Sequence, residues 1–191
     1  MRLSQLLRSE EARQTLDLTL RLTQRSVSSE FKGTTLGRLW SFINPLATIA
    51  IFALIFGVVF RGGVEPGRNS GIDSFALWIG IGVLSWTFFS SGIMSSMNAL
   101  VDNAGLLTKV YFPRQVLIYS AVLSLAVDFA FELLVLVIIA MIMGGPGVLL
   151  MIPVLVVVTL LAGMFAVGLG LILSIGTVYF RDLGHLWQIF N

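Results

Sequence analysis

Two carboxylates are the residues best placed to do chemistry. Asp128 and Glu132 sit four apart inside Gln115 to Met143, a run with no other charge. On a helix that spacing puts them on one face, a turn apart. A carboxylate at such depth is expensive and marks a functional hypothesis. No Lys, Arg or His lies within any of the apolar runs to pair with them. Neutral acids, or hydrogen bonds to hydroxyls of the preceding run, would resolve the cost. The types leave four roles open: glue between helices, a proton relay, contact with a polar substrate, or a hinge. A relay would need further titratable partners, and none accompanies the pair. The other distinctive set lies in Ser74 to Met97, where Trp78 and Trp86 accompany Ser85, Thr87, Ser90, Ser91, Ser95 and Ser96. Small polar residues let helices approach closely or line a wet path. Trp78 suits an interfacial anchor, whereas Trp86 falls near mid-run, away from the aromatic belts.

Most other chemistries lack their parts. There is no GxxxxGK[ST] phosphate loop, no HExxH, no paired CxxC and no GxSxG elbow. With one histidine and no cysteine, metal and nucleophilic catalysis within the chain are not expected, and neither is a nucleic-acid partner. Energy for uphill transport would have to come from a partner or an ion gradient.

These residues need a membrane scaffold to hold them. The 191 residues are 57% hydrophobic and only 12% charged, against about 25% charged in soluble domains. Mean hydropathy is +0.94. The pattern predicts an all-α integral membrane protein with one permease-like domain over 1–191. Ser9 can cap a first helix over 10–31, after a frayed basic tail. Ala12, Leu16, Leu20, Val27 and Phe31 form its apolar face, with Arg13, Arg21, Arg25 and Lys32 on other faces, so it should lie in the interface. Four spans follow, at 44–60, 74–97, 115–143 and 153–180. Pro45 should fall at the start of the first, where a missing N–H costs little. Arg61 to Gly71 is a polar loop. Over 99–114, Asp102 and Asn103 should cap a short helix whose Leu106, Leu107, Tyr111 and Phe112 require a surface, followed by Pro113 as a backbone reset. The GGPG turn at 144–147 leads into an uncharged run of about 50 Å as helix, which Pro153 should divide into an outer piece and a span. Ala162, Ala166, Gly170 and Ser174 recur every four residues as a helix-packing stripe.

Charge sets the expected orientation. With the N-terminus inside, ten basic residues, Lys109 and Arg114 among them, face the cytoplasm, and only Arg61 and Arg68 lie outside. That is the positive-inside arrangement.

Several stretches carry a resemblance. FKGTTLGRLWSFINPL, at Phe31 to Leu46, resembles the (K/R)-x-S-x-LGxLWxxxxP region of type-2 ABC exporter permeases. NAGLLTKVYFPRQVL, from Asn103, followed by a span carrying Val127-Asp128-Phe129, is similar to their NAGLIKKVYFPRxxLP region. YFRDLGHLW, from Tyr179, is similar to the segment before their fifth span. Together these cover nearly the whole chain and point to the polysaccharide branch, permeases for O-antigen, teichoic acid and capsule.

The resemblance implies a homodimer in the bacterial cytoplasmic membrane with two cytoplasmic ATPase subunits, which would hold the ATP and magnesium; this chain would need no cofactor. The cargo would be glycan, often lipid-linked. Asp102, Asn103, Leu106, Leu107, Lys109, Tyr111, Phe112, Pro113 and Arg114 would couple to the ATPase, with Leu16, Leu20, Arg21, Val27 and Phe31 on the neighbouring interface helix. Trp78, Trp86, Phe88 and Phe89 would be the aromatics that stack on sugar rings. The resemblance implies six spans, so the four here read as a piece of such a permease. A type-2 exporter of drugs or other lipids, an ion-coupled transporter using Asp128 and Glu132, and a structural membrane subunit are the competing readings.

Overall fold

The computed structural model describes residues 2–30, 35–59, 72, 74–109 and 112–191, with side chains except at 2–9, 11, 38 and 57–59. Phe31, the Arg61 to Gly71 loop and Tyr111 lie outside the described residues. Among those described, the chain forms seven α-helices and no strand. They are α1 (Arg2–Glu30), α2 (Trp40–Phe52), α3 (Phe75–Asp102), α4 (Ala104–Leu107), α5 (Gln115–Gly144), α6 (Ile152–Tyr179) and α7 (Leu183–Phe190). A 3₁₀ turn, Gly37–Leu39, leads into α2, which continues as π-helix over Ala53–Val59. Another 3₁₀ segment, Pro146–Met151, precedes α6.

Phe75–Asp102, Gln115–Gly144 and Pro146–Tyr179 are each long and apolar enough to cross a membrane, and Trp40–Phe56 is a shorter apolar helix. Phe75–Asp102 has 28 residues, about 42 Å of helix against a hydrocarbon core of about 30 Å. The surplus places its ends among headgroups or water.

Three local expectations change. Helix α1 begins at Arg2, so residues 2–9 are not a frayed tail and Ser9 is not its cap. No Gly or Pro occurs between Leu3 and Lys32, so nothing in the sequence delays the helix start to Ser9. Pro45 is buried inside α2 rather than at its start, because the 3₁₀ turn starts the helix at Trp40. Its missing N–H therefore falls beyond the first turn, and the Ser41 carbonyl loses its usual donor. Asn103 occupies the N-cap position of α4 without a side-chain capping bond. Its Nδ2 instead donates back to the Ala99 carbonyl at 2.9 Å, satisfying an end carbonyl of α3.

The chain divides into two compact units. One comprises residues 1–30, 89–125 and 163–191. Its core joins α3 to α6 and α7 through Ile93, Met97 and Ala166, with Leu173, Leu183 and Trp187 packed around them. The closest approach is at Gly170, where a Cβ would collide with the Ser96 side chain. Ser96 is fully buried and donates to the Gly92 carbonyl at 2.7 Å, so its polar atom is satisfied within its own helix. A second cluster, Ala99, Leu117 and Ile118, takes in Leu22 of α1 and Leu106 and Leu107 of α4.

The other unit comprises residues 31–88 and 126–162. Here α2 lies close to α3: a Cβ at Gly80 would fall 3.0 Å from Ile49 Cγ1. Phe42 meets Phe131 edge-on at 5.8 Å. The chain reverses after α5 at Gly145, whose φ of 76° is a conformation that costs glycine little.

Candidate functional site

The aromatic surface of α3 is built from spacing. Trp78, Gly82 and Trp86 fall at i, i+4 and i+8, hence along one side of the helix, with the indoles about 12 Å apart along the axis. Both indoles face outward, Trp78 at 66% and Trp86 at 51% exposure. Between them lies a recess of about 480 Å³, lined by Trp78, Ile79, Ile81, Gly82, Val83 and Trp86. Gly82 forms its floor because nothing stands within 4 Å of where a side chain would start. Trp78 is braced at one end: Phe56 meets Phe75 edge-on at 4.9 Å, and Phe75 stacks on Trp78 at 6.1 Å. Two indoles flanking a side-chain-free gap on an apolar wall can contact the faces of flat, partly apolar rings.

Phe88 and Phe89 do not join that surface. Phe88 is buried, and its ring stacks on Phe129 at 4.6 Å and 10°. Phe89 belongs to the other unit and stacks on Phe165 at 5.8 Å. Adjacent residues on a helix point about 100° apart, so a run of aromatics cannot all line one wall.

The α3–α5 connection presents a different surface. Leu106 and Leu107 pack against Ala99, Leu117 and Ile118 together with Phe112, so the surface they require is the chain's own. Exposed instead are Asp102, Gly105, Thr108, Lys109, Pro113 and Arg114. The short helix is held by backbone bonds from Leu106 and Leu107 N–H to the Asn103 carbonyl, at 2.9 and 3.1 Å.

Helix α1 packs by an unexpected face. Thr19, Thr23 and Val27 are buried, whereas Leu16 is 60% and Leu20 49% exposed. Arg21 is exposed as well. Thr19 Oγ1 donates to the Thr15 carbonyl at 2.8 Å, and Thr23 Oγ1 reaches the Ser120 carbonyl of α5 at 3.5 Å. The predicted face therefore splits: Val27 packs inward, while the leucines are left for lipid. The threonines at four-residue spacing were the signal for the packed side, and reading only apolar residues passed over them.

Asp128 and Glu132 are both half-buried on α5. In the small-residue stripe of α6, Ala166, Gly170 and Ser174 are buried, joined by Thr177, and Ala162 is half-buried. Ser90 and Trp187 form a contact that spacing alone did not reveal: Trp187 Nε1 donates to Ser90 Oγ at 3.3 Å.

A family model of the ABC-2 type transporter matches residues 17–191. The chain belongs to this family. It is a multi-pass membrane protein of the permease class. Among curated relatives, the chain is similar to the O-antigen export system permease protein RfbA of Myxococcus xanthus, 33% identical over 88% of this chain and 62% of that protein. Two proteins of the same name from Klebsiella pneumoniae are 28% and 27% identical, over 87% of this chain and 61% of theirs. The chain thus spans about three-fifths of the length of these relatives. Within this ABC-2 chain the matched region includes the α3 aromatic surface, the exposed α3–α5 connection and the C-terminal half of α1.

Proposed function

We propose that this chain is the membrane-spanning part of an ATP-driven exporter that moves polysaccharide, carried on a lipid, across the bacterial cytoplasmic membrane. The observation that carries this reading is the Trp78–Gly82–Trp86 surface, two outward indoles flanking a recess of about 480 Å³. Sugar rings have apolar faces and polar rims. Two spaced indoles offer stacking without deep capture, which suits a chain that must keep moving. The names of the RfbA relatives point to the same class of cargo.

In this reading ATP hydrolysis belongs to a separate cytoplasmic ABC ATPase, and ATP and magnesium bind there. A second copy of the permease completes the pathway. The N-terminus and the α3–α5 connection are cytoplasmic, following the positive charge of Lys109, Arg114 and the N-terminal arginines. Gly105, Thr108, Lys109 and Arg114, being exposed, are the residues best placed to meet the ATPase. Leu106 and Leu107 shape that surface from beneath.

The test is purification from native membranes, with identification of co-purifying chains and an ATPase assay. A one-to-one ATPase stimulated by lipid-linked glycan is the expected result. A permease that purifies alone without ATPase activity would overturn it, and an ion-coupled role for Asp128 and Glu132 would replace it. Trp86→Ala and Gly82→Leu should each slow glycan export while assembly stays intact. Wild-type export from both variants would remove this surface from the pathway.

A further inference from the structure

Within the unit formed by residues 1–30, 89–125 and 163–191, a cleft of about 280 Å³ lies among α1, the end of α3 and the first turns of α5. Arg25 lines it from α1, Ser95 and Asp102 from α3, Asn103 from the turn that follows, and Ser120 and Ser124 from α5. Among the described residues Arg25 is the only cation and Asp102 the only anion of this lining.

Several of the neutral groups have a proton committed, among them both hydroxyls on α5 and one N–H of Asn103. Ser120 Oγ donates to the Leu117 carbonyl at 3.0 Å, Ser124 Oγ to the Ala121 carbonyl at 3.1 Å, and Asn103 Nδ2 to the Ala99 carbonyl at 2.9 Å. What the two hydroxyls still offer is oxygen lone pairs, which accept. With the Asp102 carboxylate they make an acceptor-rich wall, while Arg25 supplies a forked donor suited to phosphate. A ligand that carries an anion and an N–H-bearing cation together satisfies both.

Position narrows the source. The cleft sits where one apolar helix ends at Asp102 and the next begins at Gln115, with exposed Lys109 and Arg114 between them. That is the polar edge of a bilayer. Beside it α1 turns Leu16, Leu18 and Leu20 outward, as a helix lying in the interface does. A cleft of about 280 Å³ has room for a headgroup-sized ligand.

We infer that this cleft seats the headgroup of a zwitterionic aminophospholipid of the bilayer, with Arg25 on the phosphate and Asp102, Ser120 and Ser124 around the primary ammonium. Phosphatidylcholine lacks the N–H donors this wall requires. Phosphatidylglycerol and a lipid diphosphate would set a second anion against Asp102, so the site is distinct from one for an anionic carrier lipid. The assignment rests on the chain crossing a membrane and not on its cargo or its ATPase.

The absence of cysteine makes the test direct. Ser29→Cys puts a single thiol at the rim of the cleft, and Thr108→Cys puts one on the exposed α3–α5 connection as a reference. Maleimide labelling of the full chain in detergent is followed with added phosphatidylethanolamine, phosphatidylcholine, phosphatidylglycerol or soluble glycerophosphoethanolamine. Phosphatidylethanolamine alone should slow labelling at position 29, by about tenfold at saturation, and leave position 108 unaffected. Arg25→Gln and Asp102→Asn, each a loss of a charge-assisted contact, should raise the lipid concentration needed by about tenfold or more. Their lipid-free labelling rates should match the parent, which shows the cleft intact. Equal protection by all three lipids, or protection that survives Asp102→Asn, would overturn the assignment. Equal protection by glycerophosphoethanolamine would overturn the bilayer as its source. Native mass spectrometry gives the independent measure: phosphatidylethanolamine should stay bound longest on the parent, and retention unchanged by Arg25→Gln would also refute the site.

Discussion

Two glycines two residues apart on α6 should respond differently to the same substitution. Gly170→Ala would place its Cβ within the Ser96 side chain, with Ser96 Oγ 2.7 Å away. Ser96 is fully buried, and its hydroxyl is tied to the Gly92 carbonyl. The colliding atoms include Ser96 Cβ, which no rotamer change can move. The neighbouring contact gives little room either: a Cβ at Gly92 would fall 3.3 Å from Ala166 Cβ. The helices must therefore part, at an overpacking cost of about 1–3 kcal/mol. Gly168 is exposed, with nothing within 4 Å of a new Cβ. Gly168→Ala should be neutral or stabilise by up to about 1 kcal/mol, since alanine loses less backbone freedom in a helix. The assay is thermal unfolding in detergent, read as the fraction remaining monodisperse after heating. Gly170→Ala should lower the midpoint, and Gly168→Ala should hold or raise it. Adding Ser96→Gly to Gly170→Ala removes the obstruction and should return most of the loss, a coupling above about 0.5 kcal/mol. Equal midpoints for Gly170→Ala and the parent would refute the packing of α3 on α6 through these residues.

Further outcomes follow from other contacts. Trp187→Phe replaces the indole by a smaller phenyl and removes the donor to Ser90, so stability should fall by about 1 kcal/mol or more in the same unfolding assay. Gly105→Arg enters open space on the exposed α3–α5 connection; it should leave the unfolding midpoint unchanged yet release the proposed ATPase, and undiminished co-purification would remove that face from the proposed contact. Leu106→Asp, by contrast, should lower the midpoint itself, because Leu106 packs on the chain's own Ala99–Leu117–Ile118 cluster. Asp128→Asn with Glu132→Gln should preserve export if the pair acts as neutral glue; complete loss with normal assembly would show that an ionised form is needed.

The long helices were legible because their signals are long. An uncharged run the length of Val148 to Phe180 admits few alternatives, and the four-residue recurrence at Ala166, Gly170 and Ser174 coincides with buried positions on α6. Boundaries set by single residues were less legible. Pro45 reads as a helix start, yet the 3₁₀ turn at Gly37–Leu39 places it a turn inside. Asn103 reads as a cap by type, but its amide also fits the carbonyls of the helix it ends, and the Ala99 carbonyl holds it. The aromatic run illustrates a different limit. Residue type nominates Trp86, Phe88 and Phe89 equally, and only the helical rotation separates an outward indole from a ring stacked on Phe129.

Helix α1 shows why the habit of reading apolar residues inward fails at a membrane. In water the leucine face is the one that must be covered. At an interface the bilayer covers leucine as well as another helix would, so burying it against protein gains little. Thr23 gains more from packing, since its hydroxyl reaches the Ser120 carbonyl of α5, while Thr19 satisfies its own within α1 on Thr15, and the small size of both allows close approach. The outward Leu16, Leu18 and Leu20 and the inward threonines are thus one solution to one problem. The same reasoning ties the polar cleft to lipid. A helix that lies in the interface and gives its leucines to acyl chains holds Arg25 at the level of headgroup phosphate, where it lines the cleft together with Ser120 and Ser124.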